Sequence, residues 1–306
     1  MNSTLFSVLL QTTLPICIAT FIGYLLQRFQ KIDTKNLTFV SLYVLAPCLV
    51  FASLTGAESK VDILSDLVLF TFLHTVTCWL SAYIIGRLFH YSSEKQSSFT
   101  LTMLFGNVSN YGLPFLMLTY GMTGFTWGAG YVVGQMILVN TLGIYIASRA
   151  KVRVMKAFLA VFRMPIIYAC IFGLIIYWLH IKLPTSIISS LKLLGNAYPA
   201  IVLFILGAQF SRLNRKMMGD VQVWIAVCSR VLLVPLLAYL SIQLLHIHGM
   251  LASILLVQAG MPAAVNTVLL TERFDGDQKW VATIVGITTL ISFVTLPLLV
   301  VISQGI

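Results

Sequence analysis

Charge is what this sequence has least of. Of its 306 residues only 9% are Asp, Glu, Lys or Arg, against roughly a quarter in a soluble domain, too few to cover a water-facing surface. The nine acids lie in connections or at the ends of apolar runs, with Asp66 the nearest to an interior. Acid–base chemistry needs such groups positioned together, and the apolar runs supply none. Cysteine is sparse as well: Cys17, Cys48, Cys78, Cys170 and Cys228 sit within apolar stretches and form no CxxC pair. They read as small core residues. No HExxH, GxSxG or acidic-pair motif occurs on any apolar run, so the chain is expected not to be an enzyme and to carry no cofactor or metal.

What fills the sequence is apolar: 59% of the side chains, in runs longer than about 18 residues that recur along the whole length. The expectation is an all-α polytopic membrane protein with ten spans, near 5–26, 36–56, 64–88, 97–119, 125–148, 165–181, 191–210, 221–246, 249–271 and 280–303. No basic stretch precedes the first run and no small-residue cleavage site follows it, so that run is expected to be retained. The net charge of +10 comes from Lys and Arg in short connections, with no basic face for a nucleic acid. Alternate connections hold fifteen of the nineteen basic residues, the others only Lys60, Lys182 and Lys192, with Arg230 inside a span. The positive-inside rule makes the crowded side cytoplasmic and puts both termini outside, in the cell membrane.

The largest basic connection, 149–164, divides five spans (1–148) from five (165–306). An odd number of crossings per half makes any repeat inverted. The halves match at their irregular places: YVLAPCLVFASL around Pro47 with NAYPAIVLFIL around Pro199, and GNVSNYGLP around Pro114 with QAGMPAAVN around Pro262. Proline removes a backbone donor and clashes with the preceding turn, so these spans should be broken or kinked. Freed backbone groups are tolerated only inside protein or against a water-filled cavity, which points to a shared midplane site. Pro114 and Pro262 are expected in the first turn of each second half-helix. Two helix starts, with partial positive charge and unsatisfied N–H groups, suit an anion. The candidate substrate-binding residues are Asn107, Asn110, Gly112 and Pro114 from one crossing, and Gln258, Pro262 and Asn266 from the other. The bland alternative is a pair of kinked helices held by polar contacts.

In these segments, GNVSNYGLPFLMLTYG (106–121) and QAGMPAAVNTVLLTERFDGDQKWVATIVGITTLISFVTLPLL (258–299), the chain resembles the auxin efflux carrier family of membrane transporters, which includes bacterial malate and malonate permeases. The resemblance implies two inverted five-helix repeats, with a scaffold at about 5–56 and 165–210 and a transport domain at about 64–148 and 221–303. It implies that the fourth and ninth spans cross at their breaks, that substrate binds beside Asn110 and Asn266, and that elevator-type movement and a homodimer are to be expected. The long soluble loop of the plant exporters is missing, which favours a small carboxylate as substrate. The alternative is a sodium- or proton-coupled carrier of the same fold for another substrate.

Three further residues are candidates for substrate or coupling roles. Arg230 is a carboxylate partner, unless it pairs within the transport domain or snorkels. His74 is a proton relay or packed histidine, and Asn196 a scaffold residue facing the path. Gln135, Asn140, Thr288, Thr289 and Ser292 line the cavity or lock helices. The turn ERFDGDQK (272–279) lacks EF-hand spacing and reads as a cytoplasmic turn. The glycosylation sequons at Asn2 and Asn36 decide nothing.

Overall fold

The computed structural model describes residues 5–56, 63–148, 164–210, 217, 219–274 and 276–306. The basic linker lies outside them apart from Met164, as do Asn2, Lys60, Arg212, Arg215 and Lys216. The described residues are all-helical, with no strand and a single isolated β-bridge. Seven helices are long and apolar enough to cross a membrane, which defines a multi-pass membrane protein. We number the helices α1 (Leu5–Gln30), α2 (Thr34–Thr55), α3 (Leu64–Leu88), α4 (Ser93–Leu104), α5 (Val108–Ala147), α6 (Pro165–Trp178), α7 (Thr185–Gly195), α8 (Tyr198–Gln209), α9 (Val221–Leu244), α10 (Gly249–Ala259), α11 (Val265–Arg273) and α12 (Gln278–Ser303).

The 40 residues of α5 are two arms. Gly121, at φ 67° and ψ −156°, lies in a region that only glycine enters freely. Gly124 and Gly128 of the second arm then lie against Leu116 of the first, so the chain doubles back there.

Proline shapes the helices in one recurrent way. Pro15, Pro47, Pro114 and Pro235 each stand two residues beyond a five-residue π-turn, at Leu9–Thr13, Ser41–Leu45, Val108–Gly112 and Ser229–Leu233. A proline ring collides with the carbonyl four residues back, and widening the turn to the five-residue spacing relieves that collision. The expected irregularity at Pro47 therefore takes the form of a π-turn within a continuous helix. Before Pro199 the helical path tightens into a turn at Asn196–Ala197, whose backbone stays right-handed, so α7 and α8 together form one of the seven long helices, Thr185–Gln209.

Two groups of helices emerge from the packing. In the first, α1 lies along α8 and α2 lies against α6 and α7; in the second, α3, α4, α5, α9, α10, α11 and α12 pack on one another. The α1–α8 contact is backbone to backbone: a Cβ added at Gly207 would stand 1.8 Å from the Thr20 carbonyl oxygen, and one at Gly23 would stand 2.2 Å from that of Phe204. Small residues let membrane helices approach this closely. Gly207→Ala is expected to force the pair apart, costing about 1–3 kcal/mol and lowering the unfolding midpoint in detergent by several degrees. Gly305→Ala, whose Cβ meets only the Ile302 oxygen at 3.7 Å, should leave that midpoint in place.

At the end of the second group that carries the connection 89–92, Lys95 bonds Gln222 and pairs with Asp220 at 3.8 Å. Asp220 also caps α9 through the Gln222 N–H. Partial burial, with the Asp220 charge adding to it, pushes the Tyr91 phenol up to about 12. In the turn 272–279, Asp277 caps α12 by accepting from the Trp280 N–H, and Glu272 accepts from Gln278.

Candidate functional site

The site forms where two helices stop short. After α4 the chain is extended through residues 105–107 before α5 begins, and after α10 it is irregular through 260–264 before α11 begins. The two interruptions meet and satisfy each other. The Asn107 N–H donates to the Pro262 carbonyl at 2.7 Å, the Ala264 N–H donates to the Phe105 carbonyl at 2.9 Å, and Gly106 faces Ala263 as an antiparallel bridge. Such a non-bonded pair turns its own N–H groups outward, and that of Ala263 is taken by the Thr288 hydroxyl on α12 at 3.2 Å.

The carbonyl ends of α4 and α10 come together on Arg230. Its Nη1 donates to the Met103 carbonyl at 2.7 Å, its Nε and Nη2 to that of Met261 at 3.0 and 2.7 Å, and its Nη2 to that of Ala259 at 3.4 Å. Each helix C-terminus carries about −0.5 elementary charge, so two of them balance one guanidinium. The side chain is 2% exposed. A Cβ at Gly106 would stand 2.3 Å from Nη2, so this position must be glycine for the arginine to reach its acceptors. Of the three readings for Arg230, pairing within its own helix group describes these surroundings.

The N-terminal ends of α5 and α11 are left bare. The first intrahelical bonds of α5 run from the Tyr111 and Gly112 N–H groups to the Asn107 carbonyl, so those of Val108, Ser109 and Asn110 precede the ladder. In α11 the Thr267 N–H bonds the Ala264 carbonyl, leaving those of Val265 and Asn266 ahead of it. All five residues line one cavity of about 60 Å³. Asn107, Gln135 and Asn140 line it too, and none of the described residues in its walls is acidic or basic. Asn107 Nδ2, Asn110 Oδ1 and Gln135 Oε1 are buried without a partner among the described residues. Gln135 donates to the Tyr131 hydroxyl and Asn140 to the Met136 carbonyl. Leu42 and Met164 close the wall toward the first helix group.

The structure thus brings Asn107, Asn110 and Asn266 to one cavity and places the other candidates elsewhere. Gln258 is wholly buried, its amide without a partner, pressed on Gly112 and Gly128, and it lies outside the cavity wall. Gly112 accordingly makes room for Gln258, since a Cβ there would stand 2.3 Å from Oε1. Pro114 lies in the first turn of the α-helical part of α5, which follows the π-turn, and Pro262 lies in no first turn. Pro114 is the seventh residue of α5, and Pro262 stands two residues before the Ala264 cap of α11. The reason is register: the chain pairs Pro262 with Asn107 through the β-like bridge, and Pro114 answers to the π-turn instead. His74 is buried in α3, stacked on Phe70 at 5.3 Å with the Cys78 sulfur 3.6 Å from Nε2, and is not part of the cavity wall. Asn196 is exposed in the α7–α8 turn.

Sequence reasoning missed Tyr198, Ser109, Gly106 and the cap role of Thr288. Tyr198 is fully buried, and its hydroxyl lies 3.1 Å from the Ser109 carbonyl oxygen and 3.2 Å from the Ser109 hydroxyl. Its place immediately before Pro199 in the repeated segment was the available signal.

A membrane protein whose helices break and join around a buried polar cavity is built as a transporter is. Residues 8–300 match the family model described as membrane transport protein, and the chain belongs to that family, the auxin efflux carrier family. It is 26% identical over 299 residues to an uncharacterized transporter of Methanocaldococcus jannaschii, covering 94% of this chain and 97% of that one. It is 28% identical over 300 residues to an uncharacterized transporter of Methanothermobacter thermautotrophicus, covering 94% and 96%.

Proposed function

We propose that the chain is a secondary transporter for a small organic anion, a dicarboxylate such as malate or malonate, working by elevator-type alternating access. The observation that carries this is the convergence of two helix starts, with five uncommitted backbone N–H groups, on one small cavity walled by neutral amides. Each start bears about +0.5 charge, together about one positive charge, which suits one carboxylate. Arg230 supports the same reading from the other side. By quenching the two negative helix ends it leaves the positive ends as the dominant field at the crossing.

In this reading the ten spans form two inverted repeats. The first helix group is the scaffold, the second the moving body, and both termini lie outside the cell membrane. Support comes from the close α1–α8 contact within one group against the apolar cavities, of about 450 and 530 Å³, lined by residues of both groups. Leu42 and Met164 follow, in sequence, connections rich in Lys and Arg, and in this reading the cavity wall they form belongs to the cytoplasmic half.

In proteoliposomes, uptake of labelled malate or malonate should saturate. Asn110→Ala and Asn266→Ala should each raise the half-saturating concentration roughly fivefold, the worth of about one hydrogen bond. Saturable movement of organic cations alone would overturn the proposal.

A further inference from the structure

The opening turn of α5 contains a gap in its own hydrogen bonding. In the π-turn Val108–Gly112 the wide bonds span five residues: the Gly112 N–H reaches the Asn107 carbonyl, and that of Leu113 bonds the Val108 carbonyl. The next bond in the series would run from residue 114 to the Ser109 carbonyl. Residue 114 is proline and has no N–H. A carbonyl left without a donor in the buried middle of a membrane protein is strongly disfavoured.

The missing donor comes from the other helix group. Tyr198 stands in the first turn of α8, fixed by the turn at Asn196–Ala197 before it and by Pro199 after it. Its ring is wholly buried and its hydroxyl donates to the Ser109 carbonyl at 3.1 Å. Ser109 is one of the residues whose backbone N–H is free at the cavity, so the same peptide segment is held by Tyr198 and offered to the guest.

We infer that Tyr198 is a positioning residue whose hydroxyl stands in for the N–H that Pro114 lacks, tying the α1–α2–α6–α7–α8 group to the helix start that forms the anion site. The consequence for transport rests on the elevator reading above; the contact itself does not. Because its two ends belong to different groups, the bond must open whenever they slide past each other, and the freed Ser109 carbonyl then turns to water. Tyr198 thereby stabilises the arrangement seen here against the others of the cycle. A tyrosine suits this task, since its body is retained by apolar packing while only its tip is exchanged.

The test is a cycle of Tyr198→Phe, Pro114→Ala and the double variant in the purified full chain. Tyr198→Phe alone should lower the thermal unfolding midpoint by on the order of 2 °C. Pro114→Ala supplies an N–H from the chain itself, so in that background Tyr198→Phe should cause no further fall. Additive shifts overturn the inference, because a phenol that merely packs would be missed equally in both backgrounds. Should Pro114→Ala fail to fold, Ser109→Ala gives a second cycle: it keeps the carbonyl and loses the hydroxyl, so the Tyr198→Phe shift should persist, and its disappearance overturns the assignment. In proteoliposomes with malonate, Tyr198→Phe should change the initial rate roughly fivefold, and Pro114→Ala should erase that change. If the wild-type protein moves no carboxylate, the transport reading fails while the unfolding cycle still decides the contact.

Discussion

Replacing Arg230 by methionine is expected to undo the junction of the two interruptions. Methionine keeps much of the volume but donates nothing, leaving the Met103, Ala259 and Met261 carbonyls buried and unpaired at the ends of α4 and α10. It also leaves about one unit of negative helix-end charge uncompensated. Lost donors of this kind cost on the order of 3–5 kcal/mol, a fall in unfolding midpoint of about 10 °C for a chain this size. Arg230→Lys keeps the charge but not the planar fork that serves three carbonyls at once, so its midpoint should fall between the two. Thermal unfolding in detergent, with size-exclusion profiles to detect aggregation, measures both. A methionine variant that unfolds within about 2 °C of the wild type would show that the guanidinium does not hold the break together.

The all-helical, multi-pass class was legible because membrane solvation leaves a coarse trace: long apolar runs and few charges. The interruptions were legible because GNVSN and QAGMPAAVN set polar and helix-breaking residues where the runs should be greasiest. Register was not. A one-residue β-bridge between Gly106 and Ala263 carries no periodic pattern, so proline was the visible landmark, and aligning Pro114 with Pro262 hid that the first follows a π-turn and the second precedes its helix. Gln258 shows the same limit from another direction. An amide one turn before a break reads as a ligand, and only the packing on Gly112 and Gly128 places it off the cavity wall. Arg230 was conspicuous as a charge, but its acceptors are backbone carbonyls on two other helices, which no side-chain pattern announces.

Asn107→Asp is expected to separate stability from transport, with opposite signs. Asn107 stands at the N-cap position of α5 without a side-chain capping bond, buried at 5% exposure, with Nδ2 unpartnered among the described residues. Aspartate is an equally good cap, and its negative charge at a helix start adds about 0.3–1 kcal/mol. The unfolding midpoint should therefore stay level or rise slightly. The same charge would occupy, from within, the field proposed to receive a carboxylate, so anion uptake should fall at least tenfold, the cost of roughly 1.4 kcal/mol or more of repulsion. Asn107→Ala is the informative contrast. It removes a buried amide that makes no capping bond and places no negative charge at the helix start, so its midpoint should lie below that of the aspartate variant, while it adds no competing charge and should retain a larger share of uptake. A chain in which the aspartate variant transports malonate as well as the wild type would have its anion held somewhere other than the starts of α5 and α11. The order of the two variants in uptake, reversed from their order in stability, is the signature that a merely disrupted helix cap cannot produce.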